Sequence, residues 1–140
     1  MVLVDTNILL NASNGDAPQH VACFDALAKL RAADGVALAW PVVYEFLRVA
    51  THHVYPRPLS FAGAWAELTP LLGHPACVLL SETAKHAAVL ERCAAEVPRL
   101  SGNLVHDFHL AVLMREHGVT DILTLDKGFR AFPWVTVRGL

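Results

Sequence analysis

No stretch of this 140-residue sequence approaches the roughly 20 uncharged apolar residues that a membrane-spanning helix requires, although 54% of its residues are hydrophobic and its mean hydropathy is +0.40. A helical membrane span is therefore not expected, and apolar surface beyond what one core can hide is expected to meet another protein. Basic charge is scarce as well. Eleven Lys and Arg against thirteen Asp and Glu leave a net charge of −2, which excludes a broad basic field. A nucleic-acid partner would have to be held by a few local cations. Cysteine is limited to Cys23, Cys77 and Cys93, an odd number without metal-type spacing. Each sits among apolar residues and reads as a reduced core side chain. No basic residue precedes the short apolar run 2–4, so no secretory leader is expected and the chain reads as cytoplasmic. Repeats, low-complexity tracts and linkers are missing too, which leaves a single domain over residues 1–140.

What is present is an alternation of short apolar runs and longer helical ones. Residues 2–4 (VLV), 36–40 (VALAW), 77–80 (CVLL), 121–125 (DILTL) and 134–137 (WVTV) have strand character. Pro18 suits the first turn of a helix that carries Val21, Phe24, Leu27, Ala28 and Leu30 and stops at Gly35. Pro41 starts another to about His52, which Pro56 and Pro58 cannot continue. Ser60 caps a helix to about Leu72, Ser81 caps one ending near Pro98, and Asn103 opens one that Gly118 terminates. Apolar strands separated by helices predict an α/β fold, a parallel sheet of four to five strands covered on both faces in three layers.

Four acids fall at one edge of such a sheet. Open parallel sheets bind ligands beyond the carboxyl ends of their strands, where the strand order reverses. Asp5 directly follows the first strand and Asp126 the fourth, while Glu45 lies about one turn into the helix after the second. Asp107, near the start of the helix leading to the fourth strand, has Ala111 and Met114 at i+4 and i+7 and so shares a half-buried stripe. Simpler explanations exist for three of them: Asp5 as a helix cap, Glu45 as the i+3 partner of Arg48, Asp126 as a turn residue in LDKG. Asp107 resists one, because a half-buried Asp inside a helix needs a partner. A shared site accounts for all four. Crowded carboxylates repel unless a cation neutralises them, and all-oxygen ligation selects Mg2+ or Mn2+. Such ions suit phosphoryl chemistry, lowering the pKa of a bound water and stabilising the leaving oxygen of an in-line displacement.

The stretches around these acids are DTN at 5–7, PVVYEFLRVATH at 41–52, NLVHDFHLA at 103–111 and LTLDKGF at 123–129. In this order and spacing they resemble the PIN-domain nucleases, in particular the VapC-type toxins of bacterial toxin–antitoxin pairs. The resemblance covers residue 2 to about residue 137 and implies a PIN-like α/β/α fold with strand order 3-2-1-4-5. It also implies a Mg2+- or Mn2+-dependent endoribonuclease, in which a metal-activated water attacks an RNA phosphodiester, and inhibition by a VapB-like antitoxin encoded beside it. Position by position, Asp5, Glu45, Asp107 and Asp126 match the family's catalytic and metal-binding quartet. Thr6 and Asn7 match the small polar residues after the first Asp, and Thr124 the hydroxyl two residues before the last. The sequence departs at Gly128, where family members often carry a further acid, and this bears on a second metal ion more than on the first. Arg48, Arg57, Lys127 and Arg130, with His52 or His53, are the candidates for RNA phosphate contacts. Wide apolar faces on helices 18–33 and 61–72 suggest a two-fold homodimer, as does the resemblance.

Other classes fit less well. His106 and His109 at i+3, with His52 and His53, allow a zinc reading, but the spacing is no known zinc pattern and hydrogen-bonding or solvent-facing roles are favoured. A phospho-receiver domain would need an Asp ending the third strand and a Lys ending the last, near where Ser81 and Arg138 stand. A haloacid-dehalogenase-type phosphatase would need Asp in place of Asn7. The alternative within the fold is a catalytically degenerate binding module acting only through protein partners, against which the presence of all four acids argues.

Overall fold

Consecutive residues of a strand face opposite sides of its sheet. In the computed structural model, which describes residues 1–140, Val2, Leu3 and Val4 are all completely buried, as are Val36 to Ala39. Both faces of the sheet centre are therefore covered, and each large apolar side chain so buried contributes about 1.5–3 kcal/mol. The strands are β1 (Val2–Val4), β2 (Val36–Ala39), β3 (Cys77–Leu80), β4 (Asp121–Leu123) and β5 (Thr136–Arg138), all parallel, in the order β3-β2-β1-β4-β5. This is the order that the family resemblance implies. The helices are α1 (Thr6–Ser13), α2 (His20–Ala32), α3 (Trp40–Ala50), α4 (Phe61–Leu72), α5 (His86–Ala94) and α6 (Leu104–Glu116). They pack as two groups: α1 against α2 and α3, with α4 on α3, and α5 against α6. None is long and apolar enough to cross a membrane.

The register sets the site. Val2, Leu3 and Val4 pair with Asp121, Ile122 and Leu123, so Asp5 and Thr124 stand side by side one step beyond the ladder. At β1 the strand order reverses, with β2 on one side and β4 on the other. Gly118 lets the chain turn directly from α6 toward β4. Its φ of +69° is a conformation that L side chains resist, and the Val119 N–H closes the helix on the Met114 carbonyl at 2.8 Å.

Several boundaries differ from the sequence reading, each for a local reason. Helix α1 follows β1 without a loop, so its pattern merges with that of the strand. Ser81 is not a cap: α5 starts at His86, because the Thr83 N–H is bound at 2.8 Å by Glu116 of α6, which holds residues 81–85 out of helix. Strand β4 ends at Leu123 because the Leu125 N–H is taken by the side-chain oxygen of Asn7 at 3.1 Å. Strand β5 begins at Thr136 rather than at Trp134, whose indole N–H donates to the Ala111 carbonyl at 2.8 Å. The DKGF stretch adds a 3-10 helix over Gly128–Ala131 that periodicity did not reveal. The three cysteines are free; Cys23 and Cys93 are buried and Cys77 is half-buried.

Candidate active site

Asp5 leaves β1 in extended conformation and caps α1, so the capping role and a place in the site coexist in one side chain. Its Oδ1 accepts from the Thr6 N–H at 2.7 Å, and its Oδ2 accepts from Thr124 Oγ1 at 2.6 Å and from Asn7 Nδ2 at 2.8 Å. Thr124 Oγ1 in turn accepts from the Asp126 N–H at 2.9 Å, and Asp126 Oδ1 accepts from the Gly128 N–H at 2.8 Å. One chain of bonds thus ties the acid after β1 to the acid after β4. Thr6 acts in it through its main chain. Thr124→Val would remove a donor to Asp5 and an acceptor for two N–H groups, and is expected to cost about 1–3 kcal/mol, with Thr124→Ser restoring most of it. A urea midpoint unchanged by Thr124→Val would show that the chain contributes nothing to stability.

Glu45, on α3, pairs with Arg48 at 2.7 Å, so the i+3 partnership is also real. Asp5, Glu45, Asp107 and Asp126 nevertheless line one cavity of about 840 Å³, together with Arg48, Asn103, His106 and His109. Burial pushes the Asp107 carboxyl up to about 6, with further upward pressure from the charges of Asp126 and Asp5 and partial relief from His106. Burial likewise raises Asp5, against the opposing bonds from Thr124, Thr6 and Asn7 and with the charge of Asp126 adding to it. At Gly128, where the family often has an acid, an added Cβ would lie 3.1 Å from Asp107 Oδ2 and 3.3 Å from Asp126 Oδ1. That residue marks where these two carboxylates draw close.

Of the expected RNA contacts, only Arg48 lines the cavity. Arg57 pairs with Asp16 at 3.0 Å, and Lys127 and Arg130 are exposed just beyond Asp126. Sequence reasoning missed Asn103 as a cavity residue, and it also missed Glu82, His86 and Glu116, which gather beside His109 and carry no local signal. Four carboxylates line a space whose one arginine is already paired, and oxygen donors of this kind suit a hard divalent cation, although the ligand atoms that stand within 4.8 Å of one another are those of Glu82, His86 and His109.

Comparison with known proteins agrees with this geometry. The chain is 36% identical over 137 residues to Ribonuclease VapC37 of Mycobacterium tuberculosis, covering 96% of this chain and 94% of that protein. Among solved structures it is similar to VapBC2 from Rickettsia felis bound to a promoter DNA fragment, with a TM-score of 0.72 at 17% identity over 99% of this chain and 98% of that one. It is also similar to Mycobacterium tuberculosis VapC20, described as a sarcin-ricin loop cleaving toxin, with a TM-score of 0.66 at 18% identity over 96% and 98%. The PIN domain profile matches residues 2–135. By match, fold and the placement of its acids, the chain belongs to the PIN-domain family, alongside the VapC ribonucleases.

Proposed function

We propose that this chain is a cytoplasmic endoribonuclease toxin, one PIN-like nuclease domain over residues 1–140, that cleaves RNA with Mg2+ or Mn2+ and is inhibited by a VapB-like antitoxin. The observation that carries this reading is the convergence of Asp5, Glu45, Asp107 and Asp126 on one cavity, with Asp107 and Asp5 both raised in pKa by burial and like charge. Relief of that repulsion is what a divalent cation offers, so the residues fit the ion. Asp5, Glu45 and Asp107 would hold it, and Asp126 would support a second. Bound there, the ion would supply Lewis-acid stabilisation of a phosphodiester and an activated water. The chain's own residues do the rest. Thr124, Asn7 and the Thr6 N–H fix the direction of the Asp5 carboxylate. Arg48 would exchange Glu45 for an RNA phosphate, and Lys127 and Arg130 would hold flanking phosphates, joined by Arg57 only if it leaves Asp16. The likeness to a curated VapC ribonuclease at 36% identity supports RNA as substrate. The test is to map RNA 5′ ends in cells expressing the chain or its Asp5→Asn variant. New ends present only with the unaltered chain support the reading; identical ends in both, or none, would leave the degenerate binding module.

Partners follow from exposed apolar side chains. Trp40 and Tyr44, 40% and 66% exposed, give the helix that carries Glu45 an exposed apolar surface. An amphipathic helix or extended tail of the antitoxin would lie there, with a basic side chain competing with the metal for the carboxylates. Val21 and Phe24 on α2 and Phe61 and Trp65 on α4 are also exposed and would form the homodimer face. Phe24→Glu with Phe61→Glu is expected to convert a dimer to a monomer by light scattering. A wild-type chain already monomeric at micromolar concentration would defeat the dimer.

A further inference from the structure

On the wall of the acid cavity that His109 provides lies a second set of donors with different chemistry. A ring nitrogen from each of His86 and His109 and an oxygen of Glu82 lie within 4.8 Å of one another. The three come from separate elements: Glu82 two residues past β3, His86 at the start of α5, and His109 on α6. His109 Nε2 is 2.7 Å from Glu82 Oε1, and the rings of His86 and His109 meet edge-on with centroids 5.8 Å apart. His106, which the sequence would pair with His109, also lines the acid cavity but is not one of the trio.

What stands behind the trio separates it from a chance surface pair. Glu116 has a side chain only 2% exposed, and its Oε2 lies 2.6 Å from His86 Nδ1. Its Oε1 accepts from the Thr83 N–H at 2.8 Å and from the Thr83 hydroxyl. Burial works against a charge at this place, and the bonds from Thr83 and His86 offset it. A carboxylate behind one imidazole nitrogen fixes the tautomer and ring orientation and leaves the other nitrogen to ligate, the arrangement that surrounds metal-bound histidines. Glu116 also secures residues 81–85, which carry Glu82.

The geometry points to Glu82, His86 and His109 as a binding site for a borderline divalent transition ion, Zn2+ foremost, beside the acid cavity and sharing only His109 with its lining. Two imidazoles and one carboxylate suit zinc and its neighbours, whereas Mg2+ and Mn2+ favour oxygen. Donors around a tetrahedral zinc stand about 3.3–3.5 Å apart, so side-chain rotations within the present spacing complete the three-ligand set, with a fourth position open to water. Side-chain exposures of 19% for His86, 38% for His109 and 48% for Glu82 give an ion access. A bound ion would clamp α5 and the segment after β3 to α6. The assignment does not rest on the nuclease reading, because binding is measured without RNA.

The test is titration of the metal-stripped full chain with Co2+ in excess Mg2+, followed by visible absorption. One equivalent of Co2+ is expected to give the bands of a four-coordinate site, and one equivalent of Zn2+ to remove them. His86→Gln and His109→Gln should each weaken Co2+ affinity by about 100-fold or more, Glu116→Gln by about 10–100-fold, and Asp5→Asn not at all. His109→Gln, on the partly exposed side of α6, keeps the test valid if His86→Gln does not fold by circular dichroism. Absence of the bands, unchanged affinity in His109→Gln, or loss of binding in Asp5→Asn would overturn the site.

Discussion

Replacing Asp5, Glu45 or Asp107 with its amide is expected to lower RNA cleavage by at least about 10³-fold while the domain still folds. Each amide keeps the shape and removes one of the negative charges that would hold the cation. Asp5→Asn loses at least one favourable bond to Thr124 or Asn7 but is released from the charge of Asp126, so its stability should stay within about 1 kcal/mol of wild type. Asp126→Asn should be the mildest of the four, by about 10-fold, because Asp126 is exposed and an Asn oxygen can still accept from the Gly128 N–H. Single-turnover cleavage of a defined RNA, with circular dichroism as the control for folding, measures the series. An Asp5→Asn protein as active as wild type would remove Asp5 from the site.

The second large effect is an inverted pH dependence of stability without metal. Asp107 titrates at about 6 in the folded protein against an ordinary 3.8. Between these values the folded state holds a proton that the unfolded chain has lost, so stability falls as pH rises through the window. The gap of about two units corresponds to nearly 3 kcal/mol by linkage, and solvent screening of a carboxyl this accessible reduces it to about 1 kcal/mol. Asp5, raised in the same sense, adds to the slope. Glu116 acts oppositely, but as pH falls below its ordinary 4.5, which is outside the interval from pH 5 to pH 7. Slightly under half of the Asp107 effect falls between pH 5 and pH 7, so in chelator the melting temperature is expected to fall by roughly 1–2 °C over that interval. Asp107→Asn should flatten the slope, and Mg2+ should restore stability at the higher pH. A wild-type melting temperature that rises over the same interval, or a slope unchanged in Asp107→Asn, would show that the carboxylates do not repel as described.

The acids were legible because each interrupts an apolar pattern at a fixed place: Asp5 and Asp126 at strand ends, Asp107 on a half-buried helical stripe. The parallel alternation follows from the same patterns, and the strand order from the family resemblance alone. What the sequence hid depends on contacts between distant residues. Thr124 binds Asp5 across 119 positions, and Glu116 captures Thr83 across 33, which overrode the expected cap at Ser81. TNILLNAS continues from VLVD without a break, so only the capping reading of Asp5 points to helix α1, and the capping geometry of Asp5 marks its start. The grouping of Glu82, His86 and His109 joins residues from a loop and two helices, and no spacing rule predicts it. Arg57 shows the reverse limit, a plausible phosphate contact by composition whose guanidinium is engaged by Asp16.

The measurement closest to the central claim is cleavage of cellular RNA by the purified chain in chelator, followed by return of Mg2+, Mn2+ or Ca2+. Cleavage is expected to be absent in chelator, restored by Mg2+ or Mn2+, and weak with Ca2+, which is larger and a poorer Lewis acid. Equal rates in chelator and in Mg2+ would contradict the account and point to a metal-free mechanism with a histidine such as His106 as the base.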